Sequence, residues 1–174
     1  METLKAIATR KATRAYKSDP VPKEKLDTIL AAGCAAPVGR GDYASLHLTV
    51  VQNPENLKKI SQAMAQMMNT DKDPLYGAPA LVLVSAADQQ AFPNIQYANT
   101  ACVLENMLLA ATDCGVDSVF IWGSALAVAT SEELRRAVGI PAGFTPVASA
   151  ALGTAAQPNP AEKELKITLS INHA

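Results

Sequence analysis

The chain has 174 residues, 49% of them apolar, and a formal net charge of −1. That length suits one domain with a substantial core. The near-neutral balance excludes a global field for nucleic acid or an anionic membrane, so any basic site must be local.

Taken in chain order, residues 2–9 read as a short helix running into a basic turn, Thr9-Arg-Lys-Ala-Thr-Arg14. Pro22 suits the first turn of a helix, and Leu26, Ile29, Leu30 and Ala31 carry helical spacing through Lys23 to Gly33. Pro37, Gly39 and Gly41 mark an irregular loop from Ala35 to Ser45. Leu46 to Val51 is β-rich. Asn53-Pro54 opens a helix over roughly Glu55 to Met68, and a polar loop runs from Asn69 to Pro79. Ala80 to Ser85 is an apolar run of strand length, predicted to be a central strand buried on both faces. Asn94 to Cys114 is helical and apolar nearly all round, which places it in a core or an interface. Val119 to Trp122 reads as a strand ending at Gly123. Thr130-Ser-Glu-Glu133 has the pattern of a capping box, opening a helix that stops at Val138 with Gly139 as its cap. Val147 to Leu152 is a strand, Gly153 to Pro160 is an exit segment, and Lys166 to Ile171 alternates like a last strand.

The three cysteines, Cys34, Cys102 and Cys114, form no CxxC pair and their odd number makes a poor disulfide framework. They are expected to be buried, reduced thiols in a cytoplasmic protein. No signal peptide and no membrane span is predicted.

Few side chains offer chemistry. His47 lies within an apolar strand and His173 at the end of the chain, so no zinc set is formed. There is no nucleophile elbow, no Walker loop and no GxGxxG fingerprint. This absence of an acid–base set points to a cofactor carrying the chemistry. Four stretches remain as candidates. Arg10, Lys11, Thr13 and Arg14 either clamp a phosphate through charge-assisted bonds or form a solvated basic face. The loop Ala36 to Tyr43, with Gly39 and Gly41, either lets backbone approach a ligand or simply connects two elements. Phe120-Ile-Trp-Gly123 either presents backbone N–H groups and Trp122 to a planar ring or ends a core strand. Lys163 and Lys166 either add charge to a phosphate site or belong to a solvated tail.

Together these pieces resemble the FMN-dependent nitroreductase family, over almost the whole chain. Thr9-Arg-Lys-Ala-Thr-Arg-Ala-Tyr16 is similar to the family's N-terminal phosphate motif, with Ala12 where the motif has Ser. Val21-Pro22 through Pro37 resembles the helix that follows, and Tyr76-Gly-Ala-Pro79 a middle segment. Asn106 to Gly115 resembles the long central helix, and Leu134 to Gly153 the C-terminal signature. Gly41-Asp-Tyr-Ala-Ser-Leu46 stands where many members carry an Asn-x-Gln-Pro-Trp stretch with Asn and Gln flavin contacts, and the chain is short for the family, which implies an open site.

The resemblance implies an α+β fold over residues 1–174, with a mixed β-sheet flanked by helices, in an intertwined homodimer. It implies FMN at the dimer interface, with no metal and no catalytic side chain. Arg10, Lys11, Ala12 and Arg14, with Lys163, would hold the phosphate or ribityl end. Ile121, Trp122 and Gly123 would face the ring edge, and Pro37, Val38 and Gly39 would line the ring from the other subunit. The implied activity is ping-pong hydride transfer from NAD(P)H to a nitroaromatic, a quinone or a related small-molecule acceptor, without a nucleic-acid or membrane partner. The alternatives are a non-catalytic FMN storage or sensor protein, and a helical interaction module whose basic cluster is merely exposed.

Overall fold

The computed structural model describes residues 1–87, 92–158 and 161–173. Among the described residues six α-helices and four strands follow in the order α1 (Thr3–Thr9), α2 (Lys23–Cys34), β1 (Leu46–Val51), α3 (Pro54–Met68), β2 (Ala80–Ala87), α4 (Ile95–Asp113), β3 (Asp117–Ile121), α5 (Trp122–Thr130), α6 (Glu132–Val138) and β4 (Phe144–Gly153).

The strands form one sheet in the order β1-β2-β4-β3, antiparallel throughout. The parallel element of the implied mixed sheet is an isolated bridge, Ala12 to Ser118, on the outer edge of β3. Successive strand residues point to opposite faces, and β2 shows this directly. Leu81 and Leu83 pack with Ile60, Met64, Val128 and Leu134 on the face covered by α3, α5 and α6. Ala80, Val82 and Val84 pack with Ile29, Leu104 and Met107 under α2 and α4. The central strand is therefore buried on both faces, as its unbroken apolar run predicts.

Local chemistry sets several boundaries. Asn53 caps α3, its side chain accepting from the N–H groups of Glu55 at 2.9 Å and Asn56 at 3.2 Å. The cap of α6 is Ser131 rather than Thr130, with Ser131 Oγ accepting from Leu134 N–H at 3.2 Å. Thr130 instead closes α5, donating to the Leu126 carbonyl at 2.9 Å. Gly139 ends α6 with φ of 75°, in the left-handed region.

Four expectations are corrected. The strand predicted to reach Trp122 stops at Ile121, and α5 follows at once. Its Ala-rich sequence has a wide apolar face, which hides the helical period. Lys166–Ile171 forms no strand, because among the described residues no ladder partner lies beside it. Leu165, Ile167, Leu169 and Ile171 are all exposed. Cys34 and Cys102 are exposed and Cys114 is partly exposed, because they fall on the outer sides of α2 and α4. Trp122, weighed above as a buried strand end, is 58% exposed. The last two residues of the predicted exit segment, Asn159 and Pro160, lie outside the described residues.

Candidate functional site

The basic segment is extended rather than helical. α1 stops at Thr9, and residues 10–16 run along the open edge of β3. Thr13 N–H donates to the Ser118 carbonyl at 3.0 Å, and Lys17 N–H to the Thr154 carbonyl at 2.8 Å. Asp117 is the node of this docking. It accepts from Thr13 Oγ1 at 3.4 Å and from Ala155 N–H at 2.9 Å. Tyr16 follows into the core, where its phenol is pushed above the ordinary range by burial first, then by the charge of Asp117.

This conformation divides the cations that the sequence places in one cluster. Arg10 turns to α4, its Nε 3.9 Å from Glu105 Oε1. Lys163 joins it from the far end of the chain. Lys163 N–H donates to the Ala8 carbonyl at 2.9 Å, and Lys5 pairs with Glu162 next to it. The Lys163 ammonium is held below its usual range by desolvation and by Arg10, with Glu105 opposing. Two cations facing one exposed carboxylate leave an excess of positive charge. Lys11 and Arg14 lie elsewhere, lining a cavity of about 240 Å³ with Asp117 and Gln157. Asp117, lining that cavity, offsets part of their charge and is already bonded to Thr13 and Ala155.

At the other end of β3 stands the N-terminus of α5. Ile121 lies three residue steps along the strand from Ser118, or about 10 Å at strand rise. The first-turn N–H groups of α5 have no partner within the helix, and Trp122 and Phe120 are exposed beside them. One edge of the molecule thus carries a cationic end, an apolar strip and a set of backbone donors. That sequence of features fits a ligand with an anionic head and a planar, hydrogen-bonding ring. FMN is such a molecule, and the donor set suits it.

The Pro37–Gly39 loop docks on the N-terminal half of α4. Gly39 N–H donates to Asn99 Oδ1 at 3.0 Å, and Asn99 is buried. A Cβ on Gly39 would stand 2.5 Å from Ile95 Cδ1, so a side chain there would have to displace the end of Ile95. Among the described residues no hydrogen bond or ion pair joins Pro37, Val38 or Gly39 to Arg10, Arg14 or Trp122 of the same chain. The loop is also held by Tyr43 Oη, which donates to the Ala36 carbonyl at 3.0 Å, and by the Arg40 guanidinium, which lies over the Phe92 ring at 5.3 Å. Replacing Asn99 with alanine strands the Gly39 N–H, at a cost of about 1–3 kcal/mol locally. Hydrogen exchange at Gly39 is expected to accelerate while α4 stays protected.

The structure brings Arg10 and Lys163, both singled out in the sequence, to one place; their neighbour Glu105, and Asn99 and Asp117, which hold the flanking segments, were not singled out there. Glu105 had one signal, as a charge within an otherwise apolar helix. His47, half-buried in β1, stacks at a tilt on Phe144 with ring centroids 5.6 Å apart. Among the described residues no cluster of three or more metal-ligating side chains occurs, and no helix is long and apolar enough to cross a membrane.

A sheet of this order sheathed by helices, with its candidate site along one edge, defines an α+β enzyme-type domain. The Nitroreductase family model matches residues 7–154, and the chain belongs to that family. A relative from Methanothermobacter thermautotrophicus, named "Putative NADH dehydrogenase/NAD(P)H nitroreductase", is 29% identical over 95% of this chain and 83% of its own. A nitroreductase from Bacteroides fragilis crystallised with bound FMN is 29% identical, with a TM-score of 0.82, over 99% of this chain and 100% of its own. A second FMN-bound nitroreductase, from Desulfitobacterium hafniense, has a TM-score of 0.85 at 24% identity, covering 100% of this chain and 99% of its own, and shows the shared fold.

Proposed function

We propose that the chain is an FMN-dependent oxidoreductase that takes hydride from NAD(P)H and passes electrons to a nitroaromatic, a quinone or a related small acceptor in a ping-pong cycle. The observation that carries this reading is the pairing of Arg10 and Lys163 at one end of β3 with the free amides of α5 at the other. Family membership and the FMN-bound relatives support it.

Bound FMN supplies hydride acceptance and release, so no side chain need act as acid or base. Arg10 and Lys163 hold the phosphate, with Lys11, Ala12 and Arg14 flanking. The backbone from Ile121 to Gly123 faces the ring edge, where its donors favour negative charge. The Pro37–Gly39 loop completes the ring site of the other subunit in an intertwined homodimer. Two features support that assembly: the exposed, apolar C-terminal arm, and the outer stripe of α4 with its small residues Ala98, Ala101 and Cys102. We place the enzyme in the cytoplasm, because three free cysteines favour a reducing compartment.

The test is anaerobic. The purified protein is expected to show a flavin spectrum, to bleach with NADH or NADPH, and to recover its colour with nitrofurazone or menadione. A yellow protein that neither nicotinamide reduces would favour the storage or sensor alternative. A colourless protein that takes up no FMN would favour the interaction module.

A pH dependence follows from Lys163. Its ammonium titrates below the usual range in the free protein, and a bound phosphate favours the protonated form and raises the value again. FMN affinity is therefore strongest below the lowered pKa and falls as pH rises through it, until the raised value is passed. Fluorescence titration of FMN across alkaline pH measures this. Lys163→Gln is expected to flatten the curve.

A further inference from the structure

At the junction of β3 and α5, the Ile121 carbonyl accepts a hydrogen bond from Ser149 Oγ at 2.5 Å. Ser149 Oγ lies 2.5 Å from Ser124 Oγ. Both serines are fully buried. Ser149 stands opposite Ile121 on one side and Leu83 on the other, and the surroundings include Ala125 and Val128. A hydroxyl in such a place is costly unless bonded.

Proton counting assigns the direction. A serine hydroxyl has one hydrogen and two acceptor lone pairs. Ser149 donates its proton to Ile121, so Ser124 must donate to Ser149. The two form a relay that ends on one backbone carbonyl. That carbonyl belongs to the Ile121–Trp122 peptide, and the described chain has no cis bonds. A trans peptide sets its C=O and N–H in opposite directions. With the carbonyl held on the buried side, the Trp122 N–H is aimed outward, where the Trp122 side chain is itself exposed.

We propose that Ser149 and Ser124 are positioning residues whose hydroxyl relay fixes the Ile121–Trp122 peptide so that the Trp122 amide is presented to the FMN ring edge. This rests on the flavin reading above. Neither serine touches the cofactor. Their effect passes through one peptide plane, and so bears on flavin reactivity more than on flavin retention, which Arg10 and Lys163 govern from the other end of β3.

The test compares wild type, Ser149→Ala, Ser124→Ala and the double variant, each reconstituted with FMN. Three quantities are read: the FMN dissociation constant, the band shape of the bound flavin, and the anaerobic rate of its reduction by NAD(P)H. Misaligning a donor costs less than deleting one, so Ser149→Ala is expected to slow reduction about 10-fold and to shift the visible band. FMN affinity should change by less than about 3-fold. Ser124→Ala should show a smaller loss, and the double variant should match Ser149→Ala, because the relay runs through Ser149. Ser149→Cys, which keeps a weak donor, should recover part of the band shift. Ser124→Ala places a good helix former in α5 and stays readable if Ser149→Ala does not fold.

An unchanged band and rate in the single variants would overturn the proposal, as would losses that multiply in the double variant. So would a loss that follows FMN occupancy alone. Wild type that takes up no FMN would remove the flavin reading itself. Wild type that binds FMN, with variants indistinguishable from it, would leave that reading intact and remove only the relay.

Discussion

Arg10→Ala is expected to weaken FMN binding by about 10- to 100-fold, with little change in the reduction rate of the flavin that remains bound. The magnitude follows from a hydrogen bond to a charged group, about 1.5–3 kcal/mol, at 1.4 kcal/mol for each factor of ten. Arg10 is half-buried and sits beside Lys163, with Glu105 3.9 Å away. Its removal costs the site a planar, bidentate donor that lysine does not replace. It also frees Glu105 to act on Lys163 alone. The contrast is Arg14→Ala. Arg14 is exposed, and it faces Tyr16 and the Asp117 cavity instead of Lys163, so its loss should change FMN affinity by less than about 3-fold. Equilibrium dialysis or flavin fluorescence measures both. A larger loss in Arg14→Ala than in Arg10→Ala would move the phosphate to the cavity that Arg14 shares with Lys11.

The second large effect is on stability. Gly153→Ala is expected to cost about 1–3 kcal/mol, lowering Tm by about 2–4 °C for each kcal/mol in a chain of this size. A Cβ on Gly153 would stand 2.7 Å from Pro79 Cδ and 2.8 Å from Tyr16 Cδ1. Both are ring atoms and cannot swing aside as a methionine end can. Tyr16 is buried and follows directly on the basic segment, so the strain falls on the docking of residues 10–17 against β3 and the exit of β4. Thermal denaturation of the apo protein should show the loss. FMN affinity should fall with it, because the segment that carries Arg10 is loosened.

Most of the elements can be read along the chain. The apolar run of β2, the period of α2 and α3, the Asn53 cap and the Gly139 stop are written in adjacent residues, where local sterics and hydrogen bonding decide. Family membership was legible too, because its motifs follow in order along the chain. Of the proposed site, Arg10 and Lys163 stand out in the sequence as charges in recognisable stretches. Tertiary structure alone decided their partners. Arg10, Glu105 and Lys163 are distant in sequence, and meet because the C-terminal segment pairs with α1 at Ala8 and α4 crosses beneath. It also set Arg10 beside Glu105 and Lys163, while Lys11 and Arg14 line the cavity with Asp117. Ser149 and Ser124 gave no signal, because a serine in an apolar run says nothing of which carbonyl it will hold. The alternation of Lys166 to Ile171 reads as a strand, yet a strand exists only with a ladder partner, and no pattern within one segment can supply it.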